Sequence, residues 1–293
     1  MEENIITSVQ NARIKHVVAL QQKSSLRREE GLFVVEGQRE IEHCLEGGYE
    51  VVEVFSRKEE GVRSQESGVR SQESGVRSQE SGVRRQESGV RREVEYLVTP
   101  QVYEKMAYRG STEGIIAVVK SRDHTLSSFL FPPSSFLEKD NPLVVVLEGV
   151  EKPGNIGAIL RSADAANVDA VIVCDPLTDL YNPNLIRASI GAIFTVPTAV
   201  CTSQECIAFL KERDIKILTA QLQDSYEYYD YDMRPATAIV MGTESTGLTQ
   251  QWREAADAHI RIPMLGQLDS LNVSVSAAIL IFEAVRQRKV SAP

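Results

Sequence analysis

Residues 143–161 read LVVVLEGVEKPGNIGAILR, and this stretch sets the fold prediction for the second half of the chain. Its first five residues are all leucine or valine, which is typical of a strand buried on both faces of a sheet. From Ile156 to Ala163 apolar residues recur at helical spacing, and Asn155 stands where it could cap that helix. A strand that passes through a glycine-containing turn into a helix is the repeating unit of a parallel α/β sheet.

The same rhythm continues to the end of the chain. It predicts an α/β fold with a parallel sheet, helices on both faces and a ligand site at the carboxyl ends of the strands. The last helix is predicted from its apolar spacing over 273–287. The predicted strands are 143–147, 170–174, 196–201, 215–219, 237–241 and 258–262.

Residues 1–120 predict a second, smaller α/β domain, joined to the domain of residues 143–293 by a linker at 121–142. Its predicted strands are 32–37, 49–55, 94–99 and 114–120. Residues 4–28 contain five basic side chains and no acidic one, so they predict a surface that faces RNA phosphates. The five are Arg13, Lys15, Lys23, Arg27 and Arg28.

A seven-residue repeat, GVRSQES, interrupts the first domain at residues 61–92. Each unit contains one apolar residue, whereas a coiled-coil seam needs two per heptad. The glycine and serine content therefore favours a disordered, solvated insertion. The alternative is an RNA-attracting arm, because the segment holds seven arginines against four glutamates.

Composition narrows the classes of protein further. The chain has 293 residues, 42% of them hydrophobic, and a net charge of −9, as expected for a globular protein of about two domains. No apolar run approaches the roughly 20 residues of a membrane span, and the acidic start shows no secretory signal, so the predicted compartment is the cytoplasm. The four cysteines have no C-x-x-C spacing and the four histidines no ligand spacing, so reduced thiols and no metal are predicted.

Three glycine-containing loops contain the candidate functional residues. The loop at 149–157 is not a phosphate-binding loop, because Asn155 stands where lysine is needed and no G-x-G-x-x-G occurs. The loop at 242–248 reads GTESTGL and is not a hydrolase elbow. The third loop runs from Ile262 to Asn272, where Asn272 or Ser270 could simply cap the last helix. Spacing alone favours a plain ion pair between Arg161 and Asp164.

Together, these loops closely resemble the three motifs of the SpoU (TrmH-type) branch of the SPOUT methyltransferases. Asn155 with Arg161 matches the first motif, Gly242-x-Glu244-x-x-Gly247-Leu248 the second, and Ile262-Pro263-Met264 through Ser270-Leu271-Asn272 the third. A weaker resemblance connects residues 1–120 with the ribosomal-protein-like substrate-binding domain of rRNA-modifying members. Ser245 departs from the pattern, because many members carry glycine there.

The resemblance implies methyl transfer from S-adenosylmethionine to a ribose 2′-hydroxyl of RNA, with no metal. By the same resemblance Arg161 is catalytic. A guanidinium remains protonated, so we expect it to orient the hydroxyl and stabilise the developing charge. The other catalytic positions are Asn155, Glu244, Ser270 and Asn272, and the cofactor-binding positions are Gly242, Ile262 and Leu271.

The family also implies a deep trefoil knot in the C-terminal domain and a homodimer. The added N-terminal domain favours rRNA, most simply 23S rRNA, over tRNA as the substrate. Two alternatives remain open: a tRNA 2′-O-methyltransferase, and a non-catalytic RNA-binding or ribosome-assembly factor on the same fold.

Overall fold

The computed structural model describes residues 5–58, 94–108, 113–129 and 139–290. The repeat at 61–92 and the Pro132-Pro133 pair lie outside the described residues, so what the sequence predicts for them stays a prediction. Within the described part of the chain, every helix is too short or too polar to cross a bilayer.

The described residues before Ser121 form a small domain around a mixed five-stranded sheet. Its strands are β1 (Ile5–Ile6), β2 (Leu32–Glu36), β3 (Val51–Arg57), β4 (Val94–Val98) and β5 (Ile115–Lys120), and its helices are α1 (Ala12–Gln22), α2 (Ser24–Glu30), α3 (Gln38–Glu46) and α4 (Pro100–Met106). The strand order is β1-β4-β3-β5-β2. β5 runs antiparallel to β2 and β3, whereas β4 runs parallel to β1 and β3.

The C-terminal domain is built on a seven-stranded sheet. Its strands are β6 (Leu143–Glu148), β7 (Ala170–Cys174), β8 (Thr198–Cys201), β9 (Lys216–Ala220), β10 (Tyr226–Glu227), β11 (Thr237–Met241) and β12 (Ala258–Arg261). Its helices are α5 (Pro153–Ala165), α6 (Pro183–Ser189), α7 (Ala192–Thr195), α8 (Ser203–Glu212), α9 (Gln250–Ala255) and α10 (Val273–Val290). All strand pairs are parallel, in the order β10-β12-β9-β11-β6-β7-β8.

The parallel sheet confirms the fold class predicted from sequence, and the ten predicted strands are found within two residues of their predicted ends. Every residue of β6, β7 and β11 is buried, as expected for strands covered by helices on both faces. Close packing also explains one glycine. A Cβ on Gly157 of α5 would lie 2.6 Å from Ala188 Cβ in α6, so only glycine allows these helices to approach.

The two domains share an aromatic interface. The ring of Phe33 in β2 stacks on Tyr181, with 4.1 Å between centroids, and packs against Phe194 in α7. The first residues of the predicted linker are fixed in this interface. The backbone N–H of Arg122 donates to Tyr181 Oη (2.9 Å), and Nδ1 of His124 donates to the carbonyl of Thr198 (2.8 Å). The described domains therefore hold one another in a defined orientation.

Candidate functional site

Three loops meet at the carboxyl edge of the parallel sheet. They follow β6, β11 and β12 and comprise residues 149–152, 242–249 and 262–272. β6 and β11 are neighbours, and β9 alone separates β11 from β12. Because the strands are parallel, the three loops lie on the same side of the sheet, where ligands of open α/β sheets bind.

Asn155 does not cap helix α5, so that expectation is wrong. The helix begins at Pro153, with Lys152 in the N-cap position. Proline suits the first helical position because that position needs no N–H donor and because its fixed φ matches the helix. Asn155 therefore lies inside the first turn, and its side chain reaches the two other loops.

Asn155, Glu244 and Asn272 form one hydrogen-bonded cluster. Glu244 Oε1 accepts from Asn272 Nδ2 at 2.7 Å and from Asn155 Nδ2 at 3.2 Å. Asn272 Nδ2 also donates to Asn155 Oδ1 at 3.1 Å. Asn155 lies in the first turn of α5, and Glu244 and Asn272 lie in the second and third loops, as much as 117 positions away in the chain. Asn155, Glu244 and Asn272 of the three motifs therefore meet within one protomer.

Lys152 joins this cluster by an ion pair with Glu244. Its Nζ lies 2.8 Å from Glu244 Oε2, and its side chain is 71% exposed. The hydrogen bond from Lys152, followed by that from the backbone N–H of Val273, lowers the pKa of Glu244, and the same contact raises the pKa of Lys152. Glu244 therefore stays ionised at neutral pH and orients amide groups, rather than accepting a proton from a sugar hydroxyl.

Asn272 also caps the last helix, as the sequence allowed. Its Oδ1 accepts from the backbone N–H of Ser274 (3.0 Å) and from the Ser274 hydroxyl (2.6 Å). Ser270 is different, because its hydroxyl contacts Asp269 at 3.4 Å and the side chain lines the adjacent cavity rather than joining the cluster. Asn272 thus couples the start of α10 to the polar cluster.

The second loop is closed into a tight turn by two glycines. Thr243 and Gly247 exchange backbone hydrogen bonds of 3.3 and 3.1 Å, and Gly247 has a φ of +69°. A Cβ on Gly242 would lie 2.4 Å from the backbone carbon of Gly247, so the loop closes only with glycine there. Ser245, the departure from the family pattern, is not among the residues with positive φ, and serine fits its backbone.

A cavity of about 360 Å³ opens beside the polar cluster. Its wall includes the three residues expected to bind the cofactor, Gly242, Ile262 and Leu271, together with Glu244 and Ser270. The volume falls within the range of small-molecule sites, which are mostly apolar with a few placed polar groups. The cavity is therefore a suitable place for a nucleoside-sized cofactor.

Two buried polar atoms in this wall have no hydrogen-bond partner among the described residues. Gln221 Oε1 and Arg253 Nε are buried, and neither finds a hydrogen bond among the described residues. A buried acceptor and a buried donor that are left unpaired cost free energy unless a ligand satisfies them. Both fit S-adenosylmethionine, which offers an amino group as donor and a carboxylate as acceptor.

Arg161 lies apart from the cluster. It is exposed, and within the described ranges it forms neither a hydrogen bond nor an ion pair, so the alternative pairing with Asp164 is not found. Arg161 lies six helical positions after Asn155, which places it about 9 Å along α5 and about 120° around the axis. The guanidinium therefore points to a different side of α5 from Asn155.

The predicted basic strip is only partly exposed. Lys15, Lys23 and Arg28 face solvent, and Arg13 is half-exposed and pairs with Glu53. Arg27 is 4% exposed, so its assignment to the RNA-facing strip is wrong.

Arg27 instead ties α2 to the C-terminal domain. Its Nε donates to Asp179 at 2.6 Å, and Nη1 donates to the carbonyl of Leu20. A buried guanidinium needs such partners, because an unpaired charge inside a protein is costly. The sequence did not predict this contact between the domains, because Arg27 stands among other basic residues that are exposed.

Several residues of the site carry no sequence signal. Lys152 stands next to the first motif but matches no ligand pattern. Gln221, directly after β9, and Arg253, in α9, can be assigned to the cavity only from the folded structure. Three cysteines expected to be scattered, Cys174, Cys201 and Cys206, lie together. Strand register pairs Cys174 with Cys201, and the first turn of α8 brings Cys206 beside them.

Comparison with known protein families gives matches to both parts of the chain. A family model described as "SpoU rRNA Methylase family" matches residues 142–282, and one described as "MRM3-like substrate binding domain" matches residues 11–117. Among curated relatives, a 23S rRNA (guanosine-2′-O-)-methyltransferase RlmB from Vibrio vulnificus is 36% identical over 66% of this chain and 78% of its own length. The enzyme of the same name from Escherichia coli K12 is 39% identical over 60% of this chain and 72% of its own length.

Solved structures show the same architecture. A crystal structure of an RNA 2′-O ribose methyltransferase shares 34% identity, covers 97% of this chain and 99% of its own, and superposes with a TM-score of 0.75. The SpoU methyltransferase AviRb from Streptomyces viridochromogenes, in complex with AdoMet, has a TM-score of 0.76 at 26% identity and covers 96% of this chain and 100% of its own.

Proposed function

We propose that this chain, which belongs to the SpoU rRNA methylase family and is an S-adenosylmethionine-dependent RNA 2′-O-ribose methyltransferase, methylates a guanosine ribose of 23S rRNA. The observation that supports methyl transfer to a ribose hydroxyl is the hydrogen-bonded cluster of Asn155, Glu244 and Asn272 beside the cavity. The relatives named as 23S rRNA guanosine methyltransferases support the substrate. An rRNA substrate also favours the cytoplasm as the compartment.

When bound, S-adenosylmethionine supplies a methyl group on a positively charged sulfur, and Gly242, Ile262 and Leu271 hold it. The chain's own task is to place the ribose oxygen in line and to stabilise the charge that develops on it. Asn155 and Asn272 are fixed by the ionised Glu244, so their amides are preorganised. Ser270, at the cavity wall, contacts the substrate ribose in this proposal.

Arg161 completes the site from a second protomer in the proposed homodimer. The guanidinium is exposed on α5 and uncommitted among the described residues, which suits a group that acts on a neighbouring subunit. The helix that packs against α5, α10, exposes Val275 (47%) and Phe282 (48%), and such apolar side chains favour a covered surface. In the dimer, Arg161 orients the ribose hydroxyl and stabilises its negative charge.

Mixing two inactive variants tests this arrangement. Arg161→Ala and Asn272→Ala each remove one part of the site. If the parts come from different protomers, the mixed dimer regains one intact site, and an equal mixture recovers about one quarter of wild-type activity. If both parts come from one protomer, the mixture stays inactive and the shared site is refuted.

The N-terminal domain, residues 1–120, is the proposed RNA-binding domain. Lys15, Lys23 and Arg28 offer exposed charge to phosphates, and the interface at Phe33 fixes this surface relative to the methyltransferase domain of residues 143–293. Residues 121–142 connect the two. A rigid two-domain surface can recognise a folded RNA by shape.

We also propose the trefoil knot that the family implies. The strand order supports it, because β11 lies between β9 and β6, so the chain returns into the middle of the sheet. The terminal helix α10 then packs against α5 from the start of the domain.

Labelled S-adenosylmethionine distinguishes the substrates. We expect methyl transfer to 23S rRNA fragments and little to tRNA transcripts. Preferential labelling of tRNA would support the tRNA enzyme instead. RNA binding without transfer to any transcript or ribosomal subunit, unaltered by Arg161→Ala, would support the non-catalytic assembly factor.

A further inference from the structure

Three of the four cysteines lie together, away from the cofactor cavity. Cys174 ends β7, Cys201 ends β8, and Cys206 lies in the first turn of α8. Cys174 and Cys201 are direct register partners on neighbouring strands, with their Sγ atoms 4.0 Å apart. All three sulfurs lie within 4.8 Å of one another.

These distances match the geometry of thiolates around a metal ion. With metal–sulfur bonds of about 2.3 Å, three sulfurs in a plane around an ion lie about 4.0 Å apart, and two sulfurs of a tetrahedral site about 3.8 Å apart. Closing the cluster around an ion therefore needs shifts below about 1 Å. We propose that Cys174, Cys201 and Cys206 form a three-thiolate site for a soft metal ion of the Zn²⁺ and Cu⁺ class.

The backbone around the cluster is fixed before any ion binds. The start of α8 is held by a capping box between Thr202 and Glu205, and the N–H of Cys206 donates to the carbonyl of Thr202 at 3.0 Å. The N–H of Asp175 donates to the carbonyl of Cys201 at 3.0 Å, which joins the ends of β7 and β8. Such a frame reduces the cost of ordering the ligands.

Access and charge also suit a cation. Cys174 and Cys206 are buried, whereas Cys201 is partly exposed and gives an entry from solvent. Asp175 follows Cys174 in the chain and Glu205 precedes Cys206, and the negative potential of these two carboxylates attracts a positive ion.

This site is separate from methyl transfer. β6 lies between β7 and the strands that carry the cavity. Glu148, the register partner of Cys174, accepts hydrogen bonds from the N–H (2.8 Å) and hydroxyl (2.6 Å) of Thr249 and from the hydroxyl of Ser203 (3.2 Å). Among the described residues it forms no hydrogen bond with the cluster of Asn155, Glu244 and Asn272. The ion would brace the loops at this edge of the sheet, so its presence does not depend on the proposed rRNA substrate.

Cadmium titration of the reduced, full-length protein tests the proposal. We expect one Cd²⁺ per chain, with the ultraviolet charge-transfer absorption of thiolate–cadmium bonds. At a Cd²⁺ concentration about 100 times the Kd, alkylation of Cys201 should slow about 100-fold, as followed by mass spectrometry of its peptide. Zn²⁺ and Cu⁺ are then compared by the same protection, and protection by either supports the proposal.

The fourth cysteine provides the control. Cys44 is buried in α3 of the other domain, so Cys44→Ser should keep the cadmium absorption, whereas Cys201→Ser and Cys206→Ser should lose it. The protection measurement needs no variant and so does not depend on their folding. Absence of charge-transfer absorption and of protection by all three ions would show that the thiols only pack against one another, which overturns the proposal.

Discussion

Gly242→Ala tests whether closure of the second loop builds the cofactor cavity. The added Cβ would lie 2.4 Å from the carbonyl carbon of Gly247, 2.5 Å from its oxygen and 2.6 Å from the nitrogen of Leu248. All three atoms belong to the backbone, so no side chain can rotate away, and the loop must open by about 1 Å to reach ordinary contact. The opening would move the cavity wall and Glu244 together.

Overpacking of this kind costs about 1–3 kcal/mol, which corresponds to about a 5- to 150-fold rise in the Kd for S-adenosylmethionine. Isothermal titration calorimetry measures that Kd directly. Gly266→Ala is the matched control in the third loop, because no heavy atom of the described residues lies within 4 Å of its Cβ, and it should bind as the wild type does. Wild-type affinity in Gly242→Ala, or an equal loss in both variants, would show that closure of the second loop does not shape the cofactor cavity.

Three further predictions concern other parts of the molecule. Arg27→Met leaves Asp179 without its partner and should lower the free energy of unfolding by about 3–5 kcal/mol in chemical denaturation; Arg28→Met should change it by less than about 0.5 kcal/mol, and equal effects would contradict the interdomain role. Since the pKa of Glu244 is lowered and its carboxylate orients Asn155 and Asn272, methyl transfer should persist below the ordinary carboxyl pKa and disappear as pH falls through the lowered value. In Lys152→Met methyl transfer should disappear at a higher pH, and coincident pH profiles of the variant and the wild type would exclude the ion pair as the cause. Deleting residues 61–81, three units of the repeat, should leave methyl transfer nearly unchanged because the rest of the connection still spans the parallel strands β3 and β4; a collapse of activity would support the RNA-attracting arm.

The strands could be predicted from sequence because buried strands consist almost entirely of apolar residues. A run such as Leu143–Leu147 is apolar at every position, and only a strand covered on both faces needs that pattern. Helix ends were harder to predict. Asn155 had the residue type of an N-cap, but Pro153 was better suited to the first helical position and moved the start of α5 forward.

The site residues that belong to the three motifs could be predicted from sequence. Their partners from outside the motifs could not, because those contacts depend on how the chain folds. Glu244 and Asn272 belong to recognisable motifs, whereas the ion pair from Lys152 depends on how two loops pack. The burial of Arg27 depends on the second domain, which a stretch of basic residues cannot reveal. The thiol cluster depends on strand register, because Cys174 and Cys201 are 27 positions apart yet lie side by side.

The nucleoside that receives the methyl group identifies the reaction and its substrate directly. Wild-type protein is incubated with labelled S-adenosylmethionine and a 23S rRNA transcript, and the RNA is digested to nucleosides. We expect label in 2′-O-methylguanosine and its loss in Asn272→Ala, because that variant removes the amide joining Glu244 to Asn155. Label on a base, or transfer by Asn272→Ala at the wild-type rate, would contradict this expectation.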